Sequence, residues 1–258
     1  VPEGDTIHRA ARRVGAVLTG RVPDEIFTPH PRHAMDRWPE RLAGRAVRSV
    51  DAHGKHLFLH FEGDLVLHSH LRMTGIWAVY GHGRRWGRSP RRAWLILRAP
   101  RHDVVQFDGP VLELLTEARV RTDPRIARLG PDVLAPDFDP ASAVPRLRAA
   151  DPDRPLGEAL LDQHAVAGIG NVWKSESCWE AQLSPWRPLS GIGDAALVAV
   201  LSAARTRMQR SVEHGMHARD NRVYRREGRP CPRCRTPIEI RGQGDENRMT
   251  YWCPGCQA

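Results

Sequence analysis

The chain has 258 residues, 41% of them hydrophobic, which suits two domains, or one domain with an appended module, around a real core. A formal charge of +9 and a pI near 10.1 point to nucleic acid or another anionic partner. No apolar run approaches the roughly 18 residues of a membrane-spanning helix. The opening VPEGDTIHRA is charged from Glu3 onward and has no apolar signal core, so a cytoplasmic protein is expected.

Asp5 and Thr6 read as N-cap residues. Ile7, Ala10, Ala11, Val14, Val17 and Leu18 follow at helical spacing, which predicts a helix over residues 4–18. Short alternating or β-branched segments come next: Ala46–Ala52, Leu57–Phe61, Leu65–His70, Gly75–Tyr80, Ala93–Ala99 and Val104–Phe107. Separated by Gly, Pro and Asp, they predict a β-sandwich or barrel. The Pro- and Asp-rich stretch 122–145 reads as a connection. Helices are expected at Ala143–Ala150, Pro155–Asp162, Val172–Ala181 and Asp194–Glu213. The domains expected are therefore a β-rich domain over 1–121, a linker over 122–145, a helical domain over 146–222 and a cysteine-bearing tail over 223–258.

In that tail CPRC and CPGC supply Cys231, Cys234, Cys253 and Cys256, the two pairs being separated by eighteen residues. Two such knuckles place four thiolates tetrahedrally around one structural zinc ion, with no open position for chemistry. TPIEIRG and RMTYW between them read as a hairpin, whose Arg241 and Arg248 suit phosphate. The fifth cysteine, Cys178, reads as a buried small residue on a helix. The basic residues are nearly all arginine; only Lys55 and Lys174 are lysine. AGIGN, ahead of the helix at Val172, exposes amides at a helix N-terminus, which suits an anion; Asn171 can donate to the same one. Pro2 reads as an ordinary first-turn proline. With residue 1 removed, however, its secondary amine is a nucleophile for covalent catalysis, and Glu3 beside it is a proton carrier.

These motifs together resemble the formamidopyrimidine-DNA glycosylase and endonuclease VIII family. The resemblance runs through PEG (2–4), HGKHLFLHF (53–61), HLRMTG (70–75), LGPDVL (129–134), LLDQHAVAGIGNVWKSE (160–176), VYRREGRPCPRC (223–234) and YWCPGCQ (251–257). It implies an α+β fold: an N-terminal helix on a two-layer β-sandwich, a helix–two-turn–helix domain and a zinc-finger hairpin. It also implies a bifunctional glycosylase/AP lyase acting on double-stranded DNA with damaged bases or abasic sites. In that reading Pro2 is the Schiff-base nucleophile, Glu3 the general acid/base and Lys55 the lysine on phosphate beside the lesion. Asn171 and Arg248 clamp the same backbone, and Met73 is the wedge that fills the hole left by the flipped base. His70, bordering the wedge, is a further DNA contact. Monomeric action is expected.

Three features depart from the family pattern. Val1 precedes Pro2, and while it remains the Pro2 nitrogen is an amide. Thr6 stands where the family has a second glutamate. The segment between Gly215 and Val223 is short, where the formamidopyrimidine branch carries a longer loop over oxidised purines; this favours the endonuclease VIII branch and oxidised pyrimidines. The competing readings are the same chemistry on oxidised purines such as 8-oxoguanine, and a non-catalytic lesion-binding zinc protein if residue 1 is retained.

Overall fold

Helix α1 (Gly4–Leu18) forms because Ile7, Ala10, Ala11, Val14 and Leu18 recur on one face, and all five are buried. The computed structural model describes residues 2–33, 35–149 and 151–257; the fate of Val1 lies outside the described residues. The chain divides into two compact units, one of Val1–Pro2 with Thr6–Ala127, the other of Glu3–Asp5 with Arg128–Ala258.

In the first unit two four-stranded antiparallel sheets share one core. Strand β1 (Glu25–Phe27) is followed by the short helix α2 (Trp38–Leu42). Strands β2 (Val47–His53), β3 (His56–Phe61), β4 (Leu65–His70), β5 (Ile76–Gly81), β6 (Ala93–Ala99), β7 (His102–Phe107) and β8 (Val111–Thr116) come next. The sheet orders are β1-β6-β7-β5 and β2-β3-β4-β8. Leu57, Leu59, Phe61 and Leu67 of one sheet pack with Leu95, Leu97 and Val104 of the other, and the α1 stripe closes the cluster. This is the sandwich alternative of the sequence reading. In β6 every second residue, from Ala93 to Ala99, is buried, the period-2 pattern of a strand with one face on the core. Trp77 Nε1 donates to Ser69 Oγ at 3.1 Å, so this buried indole donor is satisfied. Strands β1 and β8 were not anticipated. Helices α3 (Glu117–Thr122) and α4 (Pro124–Ala127) complete this unit.

The second unit contains α5 (Pro140–Ala149), α6 (Leu156–Ala159), α7 (Asn171–Glu180) and α8 (Asp194–His214), then the hairpin β9 (Glu239–Gln243) and β10 (Arg248–Trp252). Val133, Leu134 and Phe138, from the stretch read as a connection, enter its core beside Trp173, Leu197 and Leu201. The helix expected over Pro155–Asp162 closes after Ala159. Downstream, side chains take over the backbone groups: Asp162 accepts from the His164 amide at 2.9 Å, and Gln163 bonds Leu161 O, Ile169 O and the Gly168 amide. Asp5 is not a cap. The helix begins at Gly4, and the Asp5 carboxylate is held by Ser211 and Arg219. Among the described residues no helix is long and apolar enough to cross a membrane.

Candidate active site and nucleic-acid interface

Glu3 is 1% exposed. Its Oε1 accepts from the Val172 amide at 2.8 Å and its Oε2 from the Trp173 amide at 3.3 Å. Both amides belong to the first turn of α7, where backbone donors have no partner within the helix and negative charge is favoured. The sequence reading offered these amides to a phosphate; the protein's own carboxylate occupies them. The approach is close enough to require glycine. A Cβ on Gly170 would collide with the Glu3 carboxylate, and one on Gly4 would lie 2.9 Å from Gly168 Cα. The Gly4 amide donates to Gly168 O at 3.0 Å.

Asn171, the first residue of α7, donates from Nδ2 to Met249 O at 2.8 Å, tying the helix to the hairpin strand that carries Arg248. Arg248 is half-exposed and pairs with Glu246 at the hairpin tip. Arg241 does not stand free for phosphate: its Cζ lies 3.8 Å from the Trp186 ring centroid. Lys174, one turn into α7, is fully buried. Its Nζ donates to Thr250 Oγ1 at 2.5 Å, and Thr250 in turn bonds Gln243, whose Nε2 reaches Pro185 O. Burial pushes the Lys174 ammonium down to about 8, against the opposing pull of carboxylates that include Glu3.

In the first unit, the register His53↔His56↔His70 sets the tight turn bearing Lys55 beside the end of β4. Gly54 takes φ +58° there, a left-handed conformation suited to glycine. His70 Nδ1 accepts from the Arg72 amide at 3.1 Å, which leaves the ring proton of the neutral form on Nε2. Burial, then the Arg72 and Lys55 charges, lower His70 to about 4. Met73 is 66% exposed, an unusual state for a large apolar side chain. Behind His70 lies a ladder of polar groups with the buried His68 at its centre. His56 contacts His70 edge-on, its Nδ1 is 2.8 Å from His68 Nε2, and His68 Nδ1 is 3.2 Å from Glu113, which Arg125 holds. Burial above all drives His56 down to about 2.

The four tail cysteines offer sulfur atoms that all lie within 4.8 Å of one another. The Cys231–Cys256 and Cys234–Cys253 separations are 3.8 and 3.3 Å, too long for disulfides. They are near the ~3.8 Å edge of a tetrahedron with metal–sulfur bonds of about 2.3 Å. The Arg233 amide and Trp179 Nε1 donate to Cys231 Sγ at 3.4 and 3.3 Å, which favours thiolate. This donor set fits a four-coordinate metal ion.

Residues 1–125 match the formamidopyrimidine-DNA glycosylase N-terminal domain, and residues 129–222 match the formamidopyrimidine-DNA glycosylase H2TH domain. A probable endonuclease 8 2 of Streptomyces coelicolor is 43% identical, over 100% of this chain and 94% of the relative. The chain belongs to the formamidopyrimidine-DNA glycosylase and endonuclease 8 family. The DNA-(apurinic or apyrimidinic site) lyase Nei2 of Mycolicibacterium smegmatis is 37% identical over 100% of this chain and 99% of its own. The Lactococcus lactis formamidopyrimidine-DNA glycosylase bound to DNA containing an AP site shares the fold, with a TM-score of 0.82, 22% identity and 99% of each chain covered. Membership makes the chain an enzyme of the DNA glycosylase/AP lyase class.

Three charged residues of this family member escaped the sequence reading. Asp5 accepts from Arg219 Nε and Nη2 at 2.9 and 2.6 Å and from Ser211 Oγ at 2.5 Å. Glu176, fully buried, accepts from the amides of Arg222, Val223 and Tyr224 and pairs with Arg207 at 2.9 Å. The available signals were weak: a carboxylate beside Pro2-Glu3, and a glutamate in the buried turn of VWKSE.

Proposed function

We propose that the chain is a bifunctional DNA glycosylase/AP lyase that removes oxidised bases, pyrimidines in preference to purines, from duplex DNA. The observation that carries this reading is the Glu3 carboxylate seated on the α7 amides immediately after Pro2. A free Pro2 amine attacks C1′ of the damaged nucleotide and the base departs with the bonding pair. Glu3 takes the proton that the amine loses as the C–N bond forms and passes it to the ring oxygen as the sugar opens to an iminium ion, while the departing base takes a proton from water; the Glu3 carboxylate is then free to accept the C2′ proton. Elimination then expels the 3′ phosphate and, in a second round, the 5′ phosphate. An α-amine titrates near 7.7–8.0, so a useful fraction is unprotonated at neutral pH.

Lys55, His70 and Met73 on the first unit, and Asn171 and Arg248 on the second, are read as DNA contacts: cations and N–H donors for phosphate, the exposed methionine for the emptied stack. One structural zinc ion held by Cys231, Cys234, Cys253 and Cys256 would fold the tail and take no part in catalysis. The preference for pyrimidines is supported by the brevity of the chain after α8, where a single turn, Met216–Ala218, is the only helical element before the hairpin.

Borohydride trapping on a duplex with an abasic site tests the chemistry. Protein shown by intact mass to begin at Pro2 should form a covalent adduct; protein retaining Val1 should form none. An adduct that ignores the state of residue 2 overturns the Pro2 assignment. Faster excision of 8-oxoguanine than of thymine glycol overturns the pyrimidine preference alone.

A further inference from the structure

We propose that Asp5 and Arg219 are a positioning pair for the N-terminal amine, holding residues 3–5 in the orientation from which Pro2 attacks. The inference rests on the reading of Pro2 as nucleophile. Three consecutive residues are fastened to different parts of the second unit. Glu3 is held by the first turn of α7, and Gly4 by the carbonyl of Gly168. Asp5 is held by Ser211 near the end of α8 and by Arg219 just beyond the turn that follows it. The peptide bond is planar. With Glu3, Gly4 and Asp5 anchored, the direction of the Pro2 nitrogen depends mainly on the ψ of Pro2 and the φ of Glu3. A small rotation of the anchored segment is therefore passed directly to the amine.

The pair is poorly explained as a source of stability alone. The Asp5 and Arg219 side chains are 0% and 8% exposed, and ion pairs buried to this degree seldom outperform apolar packing, because both charges lose their water. Its geometry, by contrast, is highly specific. The two-pronged contact from Nε and Nη2 fixes the plane of the carboxylate as well as its distance. Arg219 Cζ also lies 5.5 Å from the Trp173 ring centroid, and the Trp173 amide holds Glu3 Oε2. The positioning pair and the general acid/base thus share one support. Thr6, where a second glutamate was expected, offers only a hydroxyl, and the carboxylate of Asp5 stands one residue earlier.

The test uses full-length, zinc-loaded protein beginning at Pro2, as wild type, Arg219→Met, Arg219→Lys and Asp5→Asn. Single-turnover trapping on saturating abasic-site duplex gives a rate constant and an amplitude. Binding to a duplex with an uncleavable tetrahydrofuran site gives Kd. For positioning, the rate constant should fall ~30–100-fold in Arg219→Met and Asp5→Asn, the cost of a displacement on the order of 1 Å. Arg219→Lys should lie between, the amplitude should stay at the wild-type value, and Kd should change by less than about 3-fold. A merely structural staple would lower the amplitude and the melting temperature but leave the rate constant of the surviving enzyme unchanged, which overturns the proposal. If Arg219→Met does not fold, the near-isosteric Asp5→Asn and the charge-keeping Arg219→Lys decide it. A wild type that forms no adduct removes the Pro2 reading, and this one with it; a wild-type adduct with unchanged rate constants in the variants removes the pair alone.

Discussion

In the unit built on Thr6–Ala127 the buried carboxylates Asp103 and Asp123 pair with Arg98 and Arg125, whose side chains are 35% and 51% exposed. In the unit built on Arg128–Ala258, Glu3, Asp5, Lys174 and Glu176 are all at or below 1% exposure. The sandwich keeps its charge at strand ends and margins and takes its stability from an apolar core. The helical unit runs one buried ion pair from α7 to α8 and another from Asp5 to the segment after α8, with a buried ammonium–hydroxyl bond from α7 to the hairpin. Apolar cores of this kind tolerate changes of similar volume, whereas removing one partner from a buried ionic contact leaves the other charge uncompensated. The second unit should therefore be the fragile one, and its fragility should map onto individual residues.

The strongest test is removal of the metal. Chelation, or Cys253→Ser, should release residues 223–257 to protease and weaken binding to abasic-site duplex by about 100-fold or more, while the sandwich stays protected. Protection of the tail without bound zinc would break the contrast at its root. Next comes Glu176→Ala, which strands three buried-segment amides and leaves Arg207 with the half-exposed Glu180 as its remaining carboxylate. It should cost about 3–5 kcal/mol in urea unfolding. Glu113→Ala, its counterpart in the first unit, loses the half-exposed Arg125 and the 3.2 Å contact to His68, and should cost about 1–2 kcal/mol. Equal losses would erase the distinction.

The smallest effect has the opposite sign. Lys174 titrates near 8 in the folded protein and about 10.4 unfolded. The unfolded chain therefore binds more protons across that window. Stability should rise as pH climbs from about 8 to 10.5, and the cost of the buried charge is present in full below it. Lys174→Met should remove that pH dependence. It should also raise stability at pH 7 by about 1–2 kcal/mol, once the lost bond to Thr250 is offset against the relieved desolvation. A destabilised Lys174→Met protein would show that the ammonium supports the hairpin more than its burial costs.

How much was legible followed the range of the forces. Strands such as Leu65–His70 and Ala93–Ala99 declare themselves as short apolar runs between Gly, Pro and Asp and fall where expected. The cysteine knuckles needed only spacing. Strand β1 escaped because three residues carry no measurable period, and β8 because Leu112, Leu114 and Leu115 break the alternation of VLELLT. Family motifs proposed Pro2, Glu3, Lys55 and Asn171 for the candidate site, and of these Glu3 and Asn171 meet at the first turn of α7. The site was illegible at Asp5, Arg219 and Glu176, because each is defined by a partner between 31 and 214 residues away in sequence. Local reading assigned Asp5 to the nearest function an aspartate serves at a helix start. Only the folded chain reveals that its partner is an arginine beyond α8.

Cys178 has a consequence of a different kind. It is completely buried, and burial pushes its thiol up to about 12. Oxidants such as peroxide attack the thiolate, and at neutral pH this residue offers almost none. The other four cysteines form the cluster that could hold a metal ion. The only cysteine outside that cluster is thus held in a form that oxidants cannot readily use.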